Sequence, residues 1–149
     1  MSLQEQLVDE LKAAMRQRNE VLVSTLRLLR ADIQNREIEL RKPLDDAGVV
    51  AIISKQARQR QESIEAFRKG NRPELVEREE AELAILQGYL PEQLPREEVV
   101  ALAAKVIQEV GATGPGDLGK VMGPLMQQVH GKADGGEVRS IVSELLSPT

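Results

Sequence analysis

Cysteine is missing from this chain, and aromatic side chains nearly so: Phe67 and Tyr89 are the only two in 149 residues, beside a single histidine, His130. Without cysteine there are no disulfides, no thiolate nucleophile and no thiolate metal site. One histidine cannot build a histidine metal cluster, and none can be supported in a Ser–His–Asp arrangement beside a flexible glycine turn. Two isolated aromatics provide no stacking platform for single-stranded nucleic acid, so any RNA partner is expected to be folded RNA recognised by shape and backbone. No unbroken apolar run approaches the roughly 20 residues of a membrane span. The opening stretch MSLQEQLVDELK also lacks the basic and then apolar layout of a signal peptide. These absences lead to the expectation of a cytoplasmic protein with no membrane partner. Excess positive charge is absent too, with 20 Lys and Arg against 24 Asp and Glu and a formal net charge of −4. A nucleic-acid binder of this composition must rely on a local patch rather than on bulk charge.

What is present is helical spacing. Ser2 and Glu5 form a capping box ahead of Leu3, Leu7, Leu11 and Met15. Leu22, Leu26, Leu29, Ile33 and Leu40 trace a second helix that Lys42-Pro43 ends. Asp45 or Asp46 caps a third, running to about Lys69 and closed by Gly70. A fourth starts near Pro73, with Asn71 and Glu74 as capping partners, and carries Leu75, Val76, Leu83, Leu86 and Leu90. The two prolines of YLPEQLP, residues 89–95, mark a boundary. Beyond it Val99, Leu102, Ala103, Val106 and Val110 share a face stopped by Gly111. A short helix spans about Asp117 to Val129, and the last opens at Asp134 and buries Val138, Ile141, Val142 and Leu145. No segment alternates with period two over a strand's length. The expected fold is all-α: a four-helix N-terminal domain over 1–90, a proline-containing linker at 91–95, and a three-helix tail domain over 96–149.

Seven of the eleven glycines fall in GPGDLGKVMGPLMQQVHGKADGG, residues 114–136. Gly114, Gly119 and Lys120 have the G-x-x-x-x-G-K spacing of a phosphate loop. That loop needs a preceding strand, backbone N–H donors and a Ser/Thr hydroxyl for magnesium. Here a helix precedes, Pro115 removes a donor, and Val121 stands in the hydroxyl position. The spacing is therefore not read as a nucleotide site. Gly119 and Gly123 lie four apart on one helical face, which suits either a tight helix crossing or approach by a phosphodiester backbone beside Lys120. Pro124 should kink or break that helix, because its ring meets the carbonyl of Lys120.

EAFRKGNRPEL, EEAELAILQGYLPEQL and GKVMGPLMQQVHGKADGGEV together resemble the GatB/YqeY family, over nearly the whole chain and least in the first 20 residues. The resemblance implies an all-α fold ending in a tail domain like that of the B subunit of the tRNA-dependent amidotransferase. There the tail grips the body of tRNA, and a similar module is appended to some glutaminyl-tRNA synthetases. It implies a non-catalytic tRNA-binding protein, associated with glutamine-dependent carbon–nitrogen ligase or glutaminyl-tRNA synthetase pathways. Ammonia, ATP and acceptor sites lie in other domains of the amidotransferase, so no catalytic residue, cofactor or metal is assigned. Gly119, Lys120, Gly123, His130, Gly131 and Lys132 are the implied RNA contacts. His130 stands where lysine is common in the family, and Pro124 interrupts a helix that usually runs on. The alternative is a module that docks on a synthetase or amidotransferase without touching RNA.

Two charged stretches invite other readings. Lys55, Arg58, Arg60, Arg68 and Lys69 outweigh Glu62 and Glu65 by three charges between Ser54 and Lys69, so Lys55, Arg58 and Arg60 form a secondary basic stripe for phosphate or a solvated face. Glu77, Glu79, Glu80 and Glu82 read as a solvated acidic face rather than paired catalytic carboxylates. Phe67 and Tyr89 read as core.

Overall fold

The computed structural model describes residues 2–148, and among them there is no β-strand. Seven α-helices follow in order: α1 Leu3–Gln17, α2 Glu20–Leu40, α3 Asp46–Lys69, α4 Pro73–Gln87, α5 Arg96–Val110, α6 Leu118–Val129 and α7 Gly135–Leu146. A 3₁₀ turn at Pro115–Asp117 leads into α6. The fold is all-α.

Side-chain caps set most of the starts, each satisfying a helix-terminal N–H. Ser2 Oγ accepts from Glu5 N at 3.1 Å, Asn19 Oδ1 from Leu22 N at 3.2 Å, Asp45 Oδ1 from Gly48 N at 2.8 Å and Asp134 Oδ2 from Glu137 N at 3.0 Å. Of the two candidate caps for α3, Asp45 takes the role. Asp46 Oδ1 instead accepts from Leu3 N at 2.9 Å, tying the start of α1 to that of α3. Asn71 does not cap α4: it sits in the left-handed region at φ 54°, Arg72 occupies the cap position without a side-chain bond, and Pro73 begins the helix. Glu37 Oε2 accepts from Leu44 N at 2.8 Å and Gln4 Nε2 at 3.0 Å. The Leu44 N–H, then Gln4, hold its carboxyl below the usual carboxylate range.

The chain divides into two compact units, residues 1–90 and 91–149. In the first, Leu7, Leu11, Leu26, Leu29, Ile33, Val49, Ile53, Ala57 and Leu86 form the core. Tyr89 packs at its edge, its hydroxyl bonded to a Glu10 carboxylate oxygen. Phe67, expected in the core, is only half-buried, and Met15 and Leu40 are exposed. In the second unit α5, α6 and α7 enclose Val99, Val106, Val121, Leu125, Val129, Val138, Ile141 and Val142, with Ala103, Ala133 and Leu146. Leu94 packs against this core, and its N–H donates to the Lys132 carbonyl at 2.9 Å. Residues 91–95 are thus bound to the second unit instead of forming a free linker.

Of the kink or break expected at Gly123-Pro124, the break does not occur: α6 runs from Leu118 to Val129 with Pro124 inside it. Gly123 removes one obstacle, because a Cβ before proline collides with the ring in helical geometry; the Pro124 ring still faces the turn that holds the Lys120 carbonyl.

Candidate nucleic-acid interface

The four-residue spacing of Val121, Leu125 and Val129 turns those side chains into the core of the second unit. The opposite face of α6 carries Gly119, Lys120, Gly123, Pro124 and Gln127, all exposed. A Cβ built at Gly114, Gly116, Gly119 or Gly123 would meet no neighbouring atom within 4 Å. The tight internal crossing considered from sequence is therefore not what these glycines serve. Gly123 accommodates Pro124, whereas Gly119 presents bare helix backbone to open space.

Lys120 is 70% exposed, and its Nζ lies 3.4 Å from Asp117 Oδ1. Asp117 is itself fastened, with Oδ2 accepting from Thr113 N at 2.9 Å. The Thr113 N–H, with the nearby Lys120 charge, holds its carboxyl below the ordinary range. The lysine is tethered beside the glycine face rather than neutralised by burial, and such an exposed pair is worth little. The pairing has the i, i+3 spacing of neighbours on one helical face.

The turn after α6 supplies the remaining candidates. His130 and Lys132 are exposed, whereas Gly131 and Ala133 are buried, so successive side chains alternate outward and inward. Gly131 adopts φ 76°, the left-handed region where glycine is at ease. Four bonds fix the turn: Lys132 N to Val129 O at 2.8 Å, Ala133 N to Val129 O at 3.1 Å, Leu94 N to Lys132 O, and Gln93 Nε2 to Gly131 O at 2.7 Å. Gln93 is thus a positioning residue that sequence reasoning left unassigned. Gly119, Lys120, Gly123, His130, Gly131 and Lys132 all belong to α6 and its closing turn, with Gly131 contributing backbone geometry only.

The secondary stripe is different. Arg60 lies against α4, its Nη1 3.1 Å from Glu79 Oε2 and 3.4 Å from Glu82 Oε2, and its side chain is 19% exposed. Arg68 pairs with Glu80 at 2.6 Å and Arg78 with Glu82 at 3.5 Å. Three of the four glutamates read as solvated therefore join α3 to α4 or brace that junction. Arg58 pairs with Glu62 at 3.2 Å within its own helix, and Lys55 is exposed. Arg60 is a packing residue, so the three do not form one accessible basic stripe. Among the described residues no group of three or more His, Asp or Glu side chains could hold a metal ion.

A profile of YqeY-like proteins matches residues 4–146. The chain belongs to the YqeY-like family. Its relatives include proteins named altered inheritance of mitochondria protein 41, mitochondrial. The one from Pyrenophora tritici-repentis is 34% identical over 129 residues, covering 83% of this chain and 69% of the relative. Those from Eremothecium gossypii and Lachancea thermotolerans are 39% and 42% identical, covering 72% and 67% of this chain and 60% and 54% of the relatives. This YqeY-like chain therefore spans between about half and two thirds of their lengths. These names overturn the expectation of a cytoplasmic protein. That expectation rested on the lack of a signal-peptide layout and of membrane-length apolar runs, neither of which selects a compartment. No helix among the described residues is long and apolar enough to cross a membrane.

Proposed function

We propose that the second unit is a non-catalytic module that holds folded RNA of the tRNA type, in association with a glutamine-dependent amidotransferase or a glutaminyl-tRNA synthetase. The supporting observation is the uncovered backbone of α6 at Gly119. Gly119 lies in the first turn of α6, and nothing inside this chain packs where its side chain would be. A phosphodiester backbone laid along that face comes within reach of Lys120 and Lys132, while Gln93 and Leu94 hold the turn rigid. With so few cations the binding is weak and its log–log salt slope is shallow, about one per phosphate contact. No catalytic step is assigned to this chain.

The test is retention of bulk tRNA on a filter at two salt concentrations. Lys120→Glu and Lys132→Glu each weaken retention, and each lost phosphate contact lowers the log–log salt slope by about one. A second reading, docking on a synthetase or amidotransferase without RNA, draws on the net charge of −4 and the Asp117 tether on Lys120. Capture of such an enzyme that survives nuclease and high salt favours it, as does a lack of tRNA retention at low salt.

A further inference from the structure

Helix α2 has two apolar faces, and the first unit uses one of them. Leu26, Leu29 and Ile33 are buried in its core. On the other side Val21, Ser24, Leu28, Ala31, Asn35 and Ile38 are all exposed, at the 3-4-3-4-3 spacing of a coiled-coil seam. Val21, Leu28 and Ile38 are 37%, 46% and 73% exposed, and Met15 beside them is 49% exposed. An open groove of about 710 Å³ flanks this face at Ser24 and Leu28, its other walls being Met15 and Val23 with the charged Arg18, Glu20 and Arg27. Ile38 projects at the other end. Large apolar side chains thus stand exposed at intervals along the helix, with Ser24, Ala31 and Asn35 between them.

We propose that this seam closes on a second copy of the chain, α2 against α2 and antiparallel. The pattern is complementary to its own reversal. Val21 meets Ile38 of the second copy, Ser24 meets Asn35, and Leu28 meets Ala31, each contact occurring twice by the two-fold axis. Apolar residues meet apolar ones, the two polar residues can hydrogen-bond, and the central layers pair a large with a small side chain. The projecting Ile38 enters the groove end of the other copy. Glu20, at the start of the helix, comes beside Arg41 at its end, so flanking charges of opposite sign also select this orientation. A parallel pair instead stacks Ala31 on Ala31 and Leu28 on Leu28, alternating thin and thick layers that pack poorly.

Sedimentation equilibrium of the full chain, from about 1 μM to about 1 mM, reads the association directly, a window matched to a small seam. The expected result is a reversible rise from one to two chain masses. Leu28→Glu raises the dissociation constant at least about tenfold, a change of ~1.4 kcal/mol, with the helical circular dichroism retained, and the thermal midpoint retained at concentrations where both chains are monomeric, because Leu28 is outside the core. The absence of cysteine makes orientation readable. Oxidation of a mixture of Val21→Cys and Ile38→Cys chains gives the mixed disulfide dimer. Val21→Cys alone gives none, since its two copies stand about 25 Å apart along the seam at 1.5 Å per residue. A chain that remains monomeric throughout overturns the proposal, as does a Leu28→Glu chain that dimerises undiminished. Efficient disulfide formation by Val21→Cys alone overturns the antiparallel pairing.

Discussion

At Gly131 the backbone turns through φ 76° at a buried position while its carbonyl accepts from Gln93. An L side chain there meets the left-handed penalty of about 1–2 kcal/mol. Gly131→Ala is therefore expected to lower the unfolding free energy by about that amount in denaturant titration. Gly119 is the opposite case. It lies early in α6 with open space where a Cβ would go, so Gly119→Ala should raise stability by up to about 1 kcal/mol. The same methyl should weaken tRNA retention, because it stands where backbone contact is proposed. A stability gain without any binding loss would detach Gly119 from the interface. Tyr89 gives a pH signature. Burial, then its hydrogen bond to Glu10, pushes the phenol above its ordinary value. The neutral phenol is thus favoured by folding. That contribution is complete below the unfolded value of about 10 and is lost as pH rises through the higher folded value. Tyr89→Phe should cost about 1 kcal/mol at neutral pH and flatten this part of the alkaline stability decline, measured by urea midpoints from neutral to alkaline pH.

At the scale of elements, the α3–α4 pair explains why charge runs mislead. Sequence shows Arg60 and Glu79 as members of two separate runs, and only tertiary packing reveals that each is the other's partner across the helix interface. Arg60→Met should lower the unfolding free energy by about 2 kcal/mol, because Glu82 is largely buried and is left with Arg78 alone. It should leave tRNA retention unchanged, and an equal loss of retention and stability would restore Arg60 to the interface. Local signals were more legible. The caps at Ser2 and Asp134, the stop at Gly111 and the span of α3 follow from short-range chemistry and stand where the pattern put them. The helix continues through Pro124, where Gly123 lacks the Cβ that would meet the ring, so an interior proline does not by itself mark a helix end. Met15 and Leu40 had the right period but lie at helix ends, where periodicity continues after neighbours to pack against have stopped. That Lys120 and Lys132 flank α6, one in its first turn and one just past its end, was legible from the span of the helix. The exposure of the glycine face was not, since glycine spacing alone does not say whether anything covers it.

At the scale of the molecule, the two units each hold their own aliphatic core, which accounts for the near absence of aromatics without loss of a hydrophobic interior. The second unit has 59 residues, near the size at which a lone core is marginal. The fragment 91–149 should nevertheless melt cooperatively, because residues 91–95 close it through Leu94 and Gln93. A fragment beginning at Arg96 should melt lower, and equal melting of the two would deny the segment that role. The central claim concerns what this unit holds. Its most direct test is filter retention of bulk tRNA by the wild-type chain and by Lys120→Glu/Lys132→Glu at low and moderate salt. Retention at low salt that falls with salt at a log–log slope of about two, and is largely abolished in the double variant, is the expected result. No retention by the wild type at low salt, or undiminished retention by the double variant, contradicts it.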